Sequence, residues 1–471
     1  MEVRSGYASA SLPFIQKKKK IKMYNFAFSL RDHYTQKGIL PLKPLYIITL
    51  IIIILFSCKE TEKKSIEKTA ENIFVKFPIT IDLVKIIDKE SKEIKLSNIV
   101  DSIEYITLET TPDALIGFIR DIDVTDSFVF ICTEGKILKF NRKGRFLYQI
   151  GSIGKGPGQW PLIRNISIDD KKKIIYVFPN GFSRKLIKYS YDNKYIGDIH
   201  LFNSDLASLV SFIGNNHFIA SGIPMIWWEI NKNMFLTAII DSTGTIIRKI
   251  DSPLKQLYNF KKKNNIRYWG TYFPSYYDSI ALILGIGCDT VYAVTSCNIK
   301  PKYILNSGKF KMPTDIIYGF SNDLEQRLKI SKKRFNYFVI VDSPIETYNY
   351  LIIKFYLKGY MYLAVFDKIG GKSIVFKKKG KVKYGGVVNM QELGFKNDID
   401  GGLNFFPSWF NLKGDLWIKA YDAIELKDQL DKIKQAKGVK YPNRQKALIK
   451  LIENLKYTDN PVIAIAHVKN N

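Results

Sequence analysis

Hydrophobic residues run down this chain in strand-length bursts separated by polar turns, and one version of that pattern recurs. Ile137–Ile150 reads Ile-Leu-Lys-Phe-Asn-Arg-Lys-Gly-Arg-Phe-Leu-Tyr-Gln-Ile, two runs rich in β-branched and aromatic residues about Gly144. Such side chains fit a pleated surface, and glycine or asparagine supplies the positive φ of a tight turn, so the pattern predicts a β-hairpin. Leu186–Ile199 repeats it about Asn193, Thr237–Ile250 about Gly244 and Val291–Ile304 about Asn298. Met361–Phe376 repeats it about Gly370 and Gly371, and Trp409–Ala420 about Gly414. Successive turns lie 49, 51, 54, 72 and 44 residues apart, spacings the size of a propeller blade with one long insertion. Six units of about four strands close a ring and remove the sheet edges that invite aggregation. The expectation is an all-β, six-bladed β-propeller over residues 73–471, with short helical insertions. A solenoid would need capping repeats and a more regular period.

Helical periodicity marks two insertions. One is Asp315–Phe335, with Leu324 and Leu328 on one face. The other is Glu425–Lys456, with Leu426, Leu430 and Ile433, a helix start near Pro442, then Leu448, Leu451 and Leu455. Leu96–Glu109 alternates toward a turn at Thr110-Thr111-Pro112. Phe74–Leu83 has the pattern of an edge or closing strand, and Val462–Val468 is the last strand. Pairing those two in one blade would join the ends of the ring.

Ahead of the repeats, Leu45–Phe56 is an unbroken apolar run of signal-peptide length, too short for a membrane span of about 20 residues. Lys37 and Lys43 supply its positive flank, and Leu55-Phe56-Ser57-Cys58 resembles the bacterial lipobox. Residues 1–57 are therefore expected to be a lipoprotein signal peptide with an upstream extension, Met23 being a plausible start. Cys58 is expected to carry the lipid, with 58–72 a charged tether. Two or more acyl chains would give stable membrane anchoring. Lys59, Glu60 and Glu62 follow, with no Asp after Cys58, a pattern similar to outer-membrane and surface-exposed lipoproteins.

The formal charge of +28 raises nucleic acid as a partner, but residues 1–57 hold nine basic and two acidic residues, which leaves +21 on the remainder. The other lysines spread over the whole chain beside abundant Ile, Asn, Phe and Tyr, as coding from an AT-rich genome would leave them. No recognition helix, finger or aromatic RNA-binding motif accompanies them, so no nucleic-acid partner is expected. With 46% hydrophobic and 14% aromatic residues the chain can bury a large core. After Cys58 come Cys132, Cys288 and Cys297, an odd number with no Cys-x-x-Cys, expected as free, mostly buried thiols.

The order Leu96-Ser-Asn-Ile-Val-Asp-Ser-Ile-Glu-Tyr-Ile-Thr-Leu-Glu-Thr110, the Gly154–Gly158 run, Asn397-Asp-Ile-Asp-Gly-Gly402 and Asp459-Asn-Pro-Val462 resemble six-bladed β-propeller lipoproteins of Gram-negative, Bacteroidetes-type bacteria. That family is distantly similar to NHL-repeat propellers. The resemblance implies the fold and a cell-envelope location, and says little about function, because propellers host many unrelated activities.

No catalytic motif is present: there is no Gly-x-Ser-x-Gly, and His200, His217 and His467 are isolated. Gly154-Lys-Gly-Pro-Gly158 superficially resembles a phosphate loop, but Trp160–Ile168 reads as a new strand where a helix would be needed, so a tight inter-blade connection is expected. Asp398 and Asp400 cluster oxygens before Gly401 as calcium loops do, without the rest of an EF-hand; Ca2+ there competes with a simple Asx turn. Trp227, Trp228, Trp269, Tyr272, Tyr276 and Trp409 fall between repeat hairpins. They either pack between blades or present a binding face for a glycan, peptide or outer-membrane protein. Two functions follow. A non-catalytic, monomeric binding module predicts exposed aromatics at one mouth of the ring. An envelope hydrolase or lyase predicts ionisable groups with shifted pKa values converging in the central channel.

Overall fold

The computed structural model describes residues 78–179, 184–201, 207–222, 235–252, 274–285, 287–313, 316–317, 323–379 and 393–470. All belong to the compact unit Val75–Asn471. Strands β1 (Ile79–Asp82) and β2 (Val100–Thr107) come first, followed by five blades in chain order. Blade one is β3 (Ile119–Val124), β4 (Phe128–Thr133), β5 (Lys136–Asn141) and β6 (Phe146–Ile150). Blade two is β7 (Ile163–Asp169), β8 (Ile174–Pro179), β9 (Lys185–Ser190) and β10 (Tyr195–His200). Blade three is β11 (Leu209–Gly214), β12 (His217–Ser221), β13 (Phe235–Ile240) and β14 (Ile246–Asp251). Blade four is β15 (Ser275–Tyr277), β16 (Ile280–Leu284), β17 (Thr290–Val294) and β18 (Ile299–Asn306). In blade five the inner strand is broken into β19 (Val339–Ile340) and β20 (Ile345–Glu346), both pairing β21 (Tyr350–Leu357), with β22 (Tyr360–Asp367) and β23 (Ser373–Lys379) outside. Blade six is β24 (Trp409–Phe410), β25 (Leu416–Tyr421) and β26 (Val462–Val468), completed by β2. The fold is the expected six-bladed propeller.

Ring closure differs from the expected pairing. Val462–Val468 pairs antiparallel with β2, from Val100↔Val468 to Thr107↔Val462. Ile79–Asp82 lies instead parallel to β18, from Ile79↔Tyr303 to Asp82↔Asn306, and covers the outer edge of blade four. It is an edge strand, not the closing one. Because the fourth strand of blade six comes from the start of the propeller, that blade has no hairpin joining its third and fourth strands. The predicted hairpin at Trp409–Ala420 is accordingly the innermost pair, β24–β25, whereas the other five are outer pairs. This shift explains the short final spacing of 44 residues.

Six hydrophobic clusters fill the six gaps between blades. Alternate residues of one strand serve opposite gaps. In β4, Val129 and Ile131 face blade six while Phe130 and Cys132 face blade two. In β26, Ile463 and Ile465 face blade one while Val462, Ala464 and Ala466 face blade five. Strands buried on both faces read as continuous apolar runs, as Phe-Val-Phe-Ile-Cys-Thr does.

The helical insertions are where the periodicity placed them. Helix α1 (Leu83–Ile87) is a short extra turn capped by Asp82. Helix α2 (Leu324–Arg334) lies in the long insertion, with Asp323 capping the Gln326 amide. Between β25 and β26 come α3 (Ala423–Asp428), α4 (Leu430–Gln435) and α5 (Pro442–Asn454), with Pro442 in the first turn. Among the described residues no helix is long and apolar enough to cross a membrane. Cys132 is buried, Cys288 half-buried and Cys297 exposed, all free, so the expectation of buried thiols fails at Cys297, which sits in the β17–β18 turn.

Candidate functional site

The inner strands of a propeller leave one edge of each sheet facing the axis, and those edge N–H and C=O groups need partners. Blades one to three solve this with side chains. Asp121 accepts hydrogen bonds from its own neighbour, Ile122 N, through Oδ1 at 3.0 Å and from Ile166 N of the next blade through Oδ2 at 3.0 Å. Asp123 takes the Ile168 amide in the same way. One blade on, Asn165 donates to Val210 O at 2.8 Å and Ser167 accepts from Phe212 N at 2.9 Å. Ser211 then bonds the Tyr276 phenol of blade four.

Of these groups, Asp121, Asp123, Ser167, Ser211 and Tyr276 line a cavity of about 60 Å3 on the axis, together with Trp409, Phe410 and Leu412 of blade six. Among the described residues none of blade five lines it, in keeping with its broken inner strand. The 411–414 turn of blade six reaches across the axis, and Lys413 O accepts from Asp278 N of blade four at 2.7 Å. Burial pushes the Asp121 carboxyl up to about 7, against its two backbone hydrogen bonds and Arg164. Burial and the neighbouring Asp121 charge raise Asp123 well above the carboxylate range. An ionisable cluster with shifted pKa values therefore does converge on the channel, but its oxygens are occupied by backbone donors, and the cavity has room only for a few water molecules.

Tyr276 and Trp409 are brought together as walls of this channel, not as an exposed patch at its mouth. Trp227, Trp228, Trp269, Tyr272 and Cys58 lie outside the described residues. Asp398 accepts from Ser97 N at 3.0 Å and Ser97 Oγ at 2.6 Å, pinning its loop to β2's approach. Asp400 Oδ1 accepts from Asn397 Nδ2 at 2.7 Å, Gly402 N at 3.0 Å and the Tyr105 hydroxyl at 3.2 Å. The two carboxylates are thus engaged by different protein donors, and among the described residues no group of three metal-ligating side chains exists. The Gly154–Gly158 run is the expected tight inter-blade connection. Gln159 Oε1 accepts from Gly156 N at 2.9 Å, and Trp160 is buried with its indole N–H on Gly135 O at 2.7 Å.

A second, larger concavity of about 510 Å3 opens between α3 and the connection before β3. Ile116, Ile424, Tyr457 and Pro461 give it apolar walls, and Asp422, Glu425, Asp428 and Asp459 make it acidic. Ile424 and Tyr457 are more than half exposed. Burial raises the Glu425 pKa, Lys419 opposes this, and the neighbouring Asp422 carboxylate adds to it.

The family model for a domain of unknown function, DUF4934, matches residues 78–467. The chain belongs to the DUF4934 family. Among solved structures, this DUF4934 chain is similar to a protein predicted to be exported from Bacteroides fragilis NCTC 9343, at 17% identity and a TM-score of 0.58, covering 83% of this chain and 99% of that one. That likeness supports the fold. A DUF4221 member from Bacteroides vulgatus ATCC 8482 also matches, at 12% identity and a TM-score of 0.40 over 62% of this chain and 88% of that one. No curated protein matches.

Sequence reasoning expected a central channel but named none of its carboxylates, and it missed the groove. A signal for the channel was present: Ile119-Arg-Asp-Ile-Asp-Val124 recurs one blade later as Ile163-Arg-Asn-Ile-Ser-Ile168. For the groove there was none, because its carboxylates and apolar walls come from two segments that meet only in the folded ring.

Proposed function

We propose that the mature chain is a lipid-anchored β-propeller of the cell envelope that works as a non-catalytic binding module, with the acidic groove beside α3 as its seat for a basic peptide segment of a partner protein. The observation that carries this is the contrast in space: about 510 Å3 in an open groove against about 60 Å3 in the channel. Four carboxylates on a chain of net positive charge favour Lys or Arg in the ligand, and Tyr457 and Ile424 offer apolar anchors. A hydrolase or lyase acting in the channel would need its carboxylates released from the backbone. Envelope location rests on the Leu45–Cys58 segment and on likeness to a protein predicted to be exported.

Binding is tested by fluorescence anisotropy with one apolar peptide framework carrying either Lys/Arg or Asp/Glu. The cationic version should bind, and the double variant Asp422→Lys, Asp428→Lys should bind it roughly tenfold more weakly, the scale of losing charge complementarity. Equal binding of both peptides would remove the proposal. Labelled palmitate incorporated equally by wild type and Cys58→Ala would remove the anchor.

A further inference from the structure

The apolar surface that begins in the acidic groove continues past it. The chain enters blade one through residues 108–118 and blade two through residues 151–162. Both connections lie at the end of the ring opposite the 411–414 turn, as does the helical excursion between β25 and β26. Among the described residues thirteen large hydrophobic side chains are exposed, and six of them fall on these three segments: Leu115, Phe118, Ile153, Leu162, Ile424 and Tyr457. Contacts between the segments make the surface continuous. Gly117, which lines the groove, backs onto the Glu134 carboxylate so closely that no Cβ would fit. Thr133 Oγ1 donates to Phe118 O at 3.1 Å, which sets Phe118 beside the same turn. On the far side of that turn Ile153 lies against Gly135, and the Trp160 indole holds Gly135 O two residues before Leu162. Exposed apolar side chains gathered in this way mark interaction surfaces. Charge changes sign along the path. Four carboxylates line the groove and Glu134 stands at its rim, whereas beyond the rim come Arg120, with its guanidinium 5.9 Å from the Phe118 ring, and the exposed Lys155.

We propose that the peptide segment seated in the acidic groove continues across blade one onto Phe118, Ile153 and Leu162, so that the ligand is cationic in the groove and apolar, free of Lys and Arg, beyond it. This rests on the groove being a seat for a basic segment and adds the second half of what that segment must carry. The carboxylates fix where its cations go, and Arg120 and Lys155 repel cations from the rest, so the two ends of the path select different residues. Phe118 is 70% exposed, which leaves most of its ring free to anchor an apolar side chain of the ligand.

The test is fluorescence anisotropy of the folded protein with peptides that share one Lys/Arg core: the core alone, the core followed by an apolar tail, the same tail placed before the core, and the core with a tail containing Lys. In one of the two orders the apolar tail should tighten binding roughly tenfold over the core alone, the scale of burying a few exposed apolar side chains. The order that gains assigns the direction of the ligand chain. The Lys-containing tail should bring no such gain, and the double variant Phe118→Ser, Leu162→Ser should lose it, measured against the core peptide on the same variant. A core that binds wild type while neither apolar tail adds affinity overturns this proposal and leaves the groove reading standing. A core that does not bind removes the groove reading and this proposal with it. An equal gain from the Lys-containing tail, or a gain that persists in the folded double variant, also overturns the proposal.

Discussion

The carboxylate of Asp121 on the inner strand of blade one holds the amide of Ile166 on the inner strand of blade two, at 3.0 Å. One side chain thereby satisfies an edge N–H that no strand can reach and ties two blades at the axis. The tie is sensitive to pH. Burial raises the folded pKa to about 7, above the unfolded value near 3.8, so the folded chain holds a proton that the unfolded chain releases. The stability this group contributes is full below the unfolded value and is lost as pH rises through about 7. Asp121→Asn leaves one of the two amides without its acceptor, a cost of about 1–3 kcal/mol at pH 5. The gap to wild type should narrow by pH 8. Urea unfolding of both proteins at the two pH values checks it, and a gap that does not change with pH would refute this role for Asp121.

Glu346 presents the opposite case. Its carboxylate is buried between Lys302 at 2.7 Å and Lys368 at 2.8 Å, with the Tyr303 hydroxyl at 2.8 Å. Burial pushes its pKa up, but attraction to the two ammonium groups wins and holds it below the usual range. Its stabilising effect is therefore present above the unfolded pKa and fades as pH falls through the lower folded one. Glu346→Gln strands two cations between blades four and five, and should cost about 3–5 kcal/mol at pH 7. Denaturant midpoints should show this loss, with much of it recovered when Lys302 and Lys368 are also replaced by Met.

Gly144 turns the outer hairpin of blade one at φ 81°, and a Cβ there would run into the carbonyl oxygen of Thr107 on β2. Gly371, at φ 64°, has open space around it. Gly371→Ala should cost only the left-handed penalty of about 1–2 kcal/mol. Gly144→Ala should cost more and should also loosen the closing strand, which hydrogen exchange of the β2 amides would report. Equal costs for the two would mean that the turn does not dock on β2.

Trp160→Phe keeps one buried aromatic ring but empties part of the indole's space and removes its bond to Gly135 O. Calorimetry should show a loss of about 1–3 kcal/mol, the range for an unpaired buried carbonyl. A neutral outcome would show that water replaces the indole.

The blades were legible because a hairpin is local: Gly144, Asn193 and Gly244 each adopt the positive φ that their runs required. Closure was not, since Ile79–Asp82 and Val100–Thr107 both have strand character and only three-dimensional register assigns β2 to β26. Tyr276 and Trp409 read more readily as packing than as a binding face, a choice made by whether inner strands converge on the axis. The raised pKa of Asp121 depends on neighbours in other blades, which spacing along the chain does not encode.

The β2–β26 ladder ties position 100 to position 468, so the zipper that shuts the ring joins the strand at its start to the latest of the propeller's described strands. Five blades can assemble as they appear, but β2 must wait beside an unfinished sixth sheet with its edge unpaired. Contacts this distant in sequence form slowly, and an exposed strand edge recruits other chains. The nascent protein is therefore most vulnerable to misassembly in the interval before residues 462–468 arrive, and a chaperone that shields β2 during that interval would protect the whole ring.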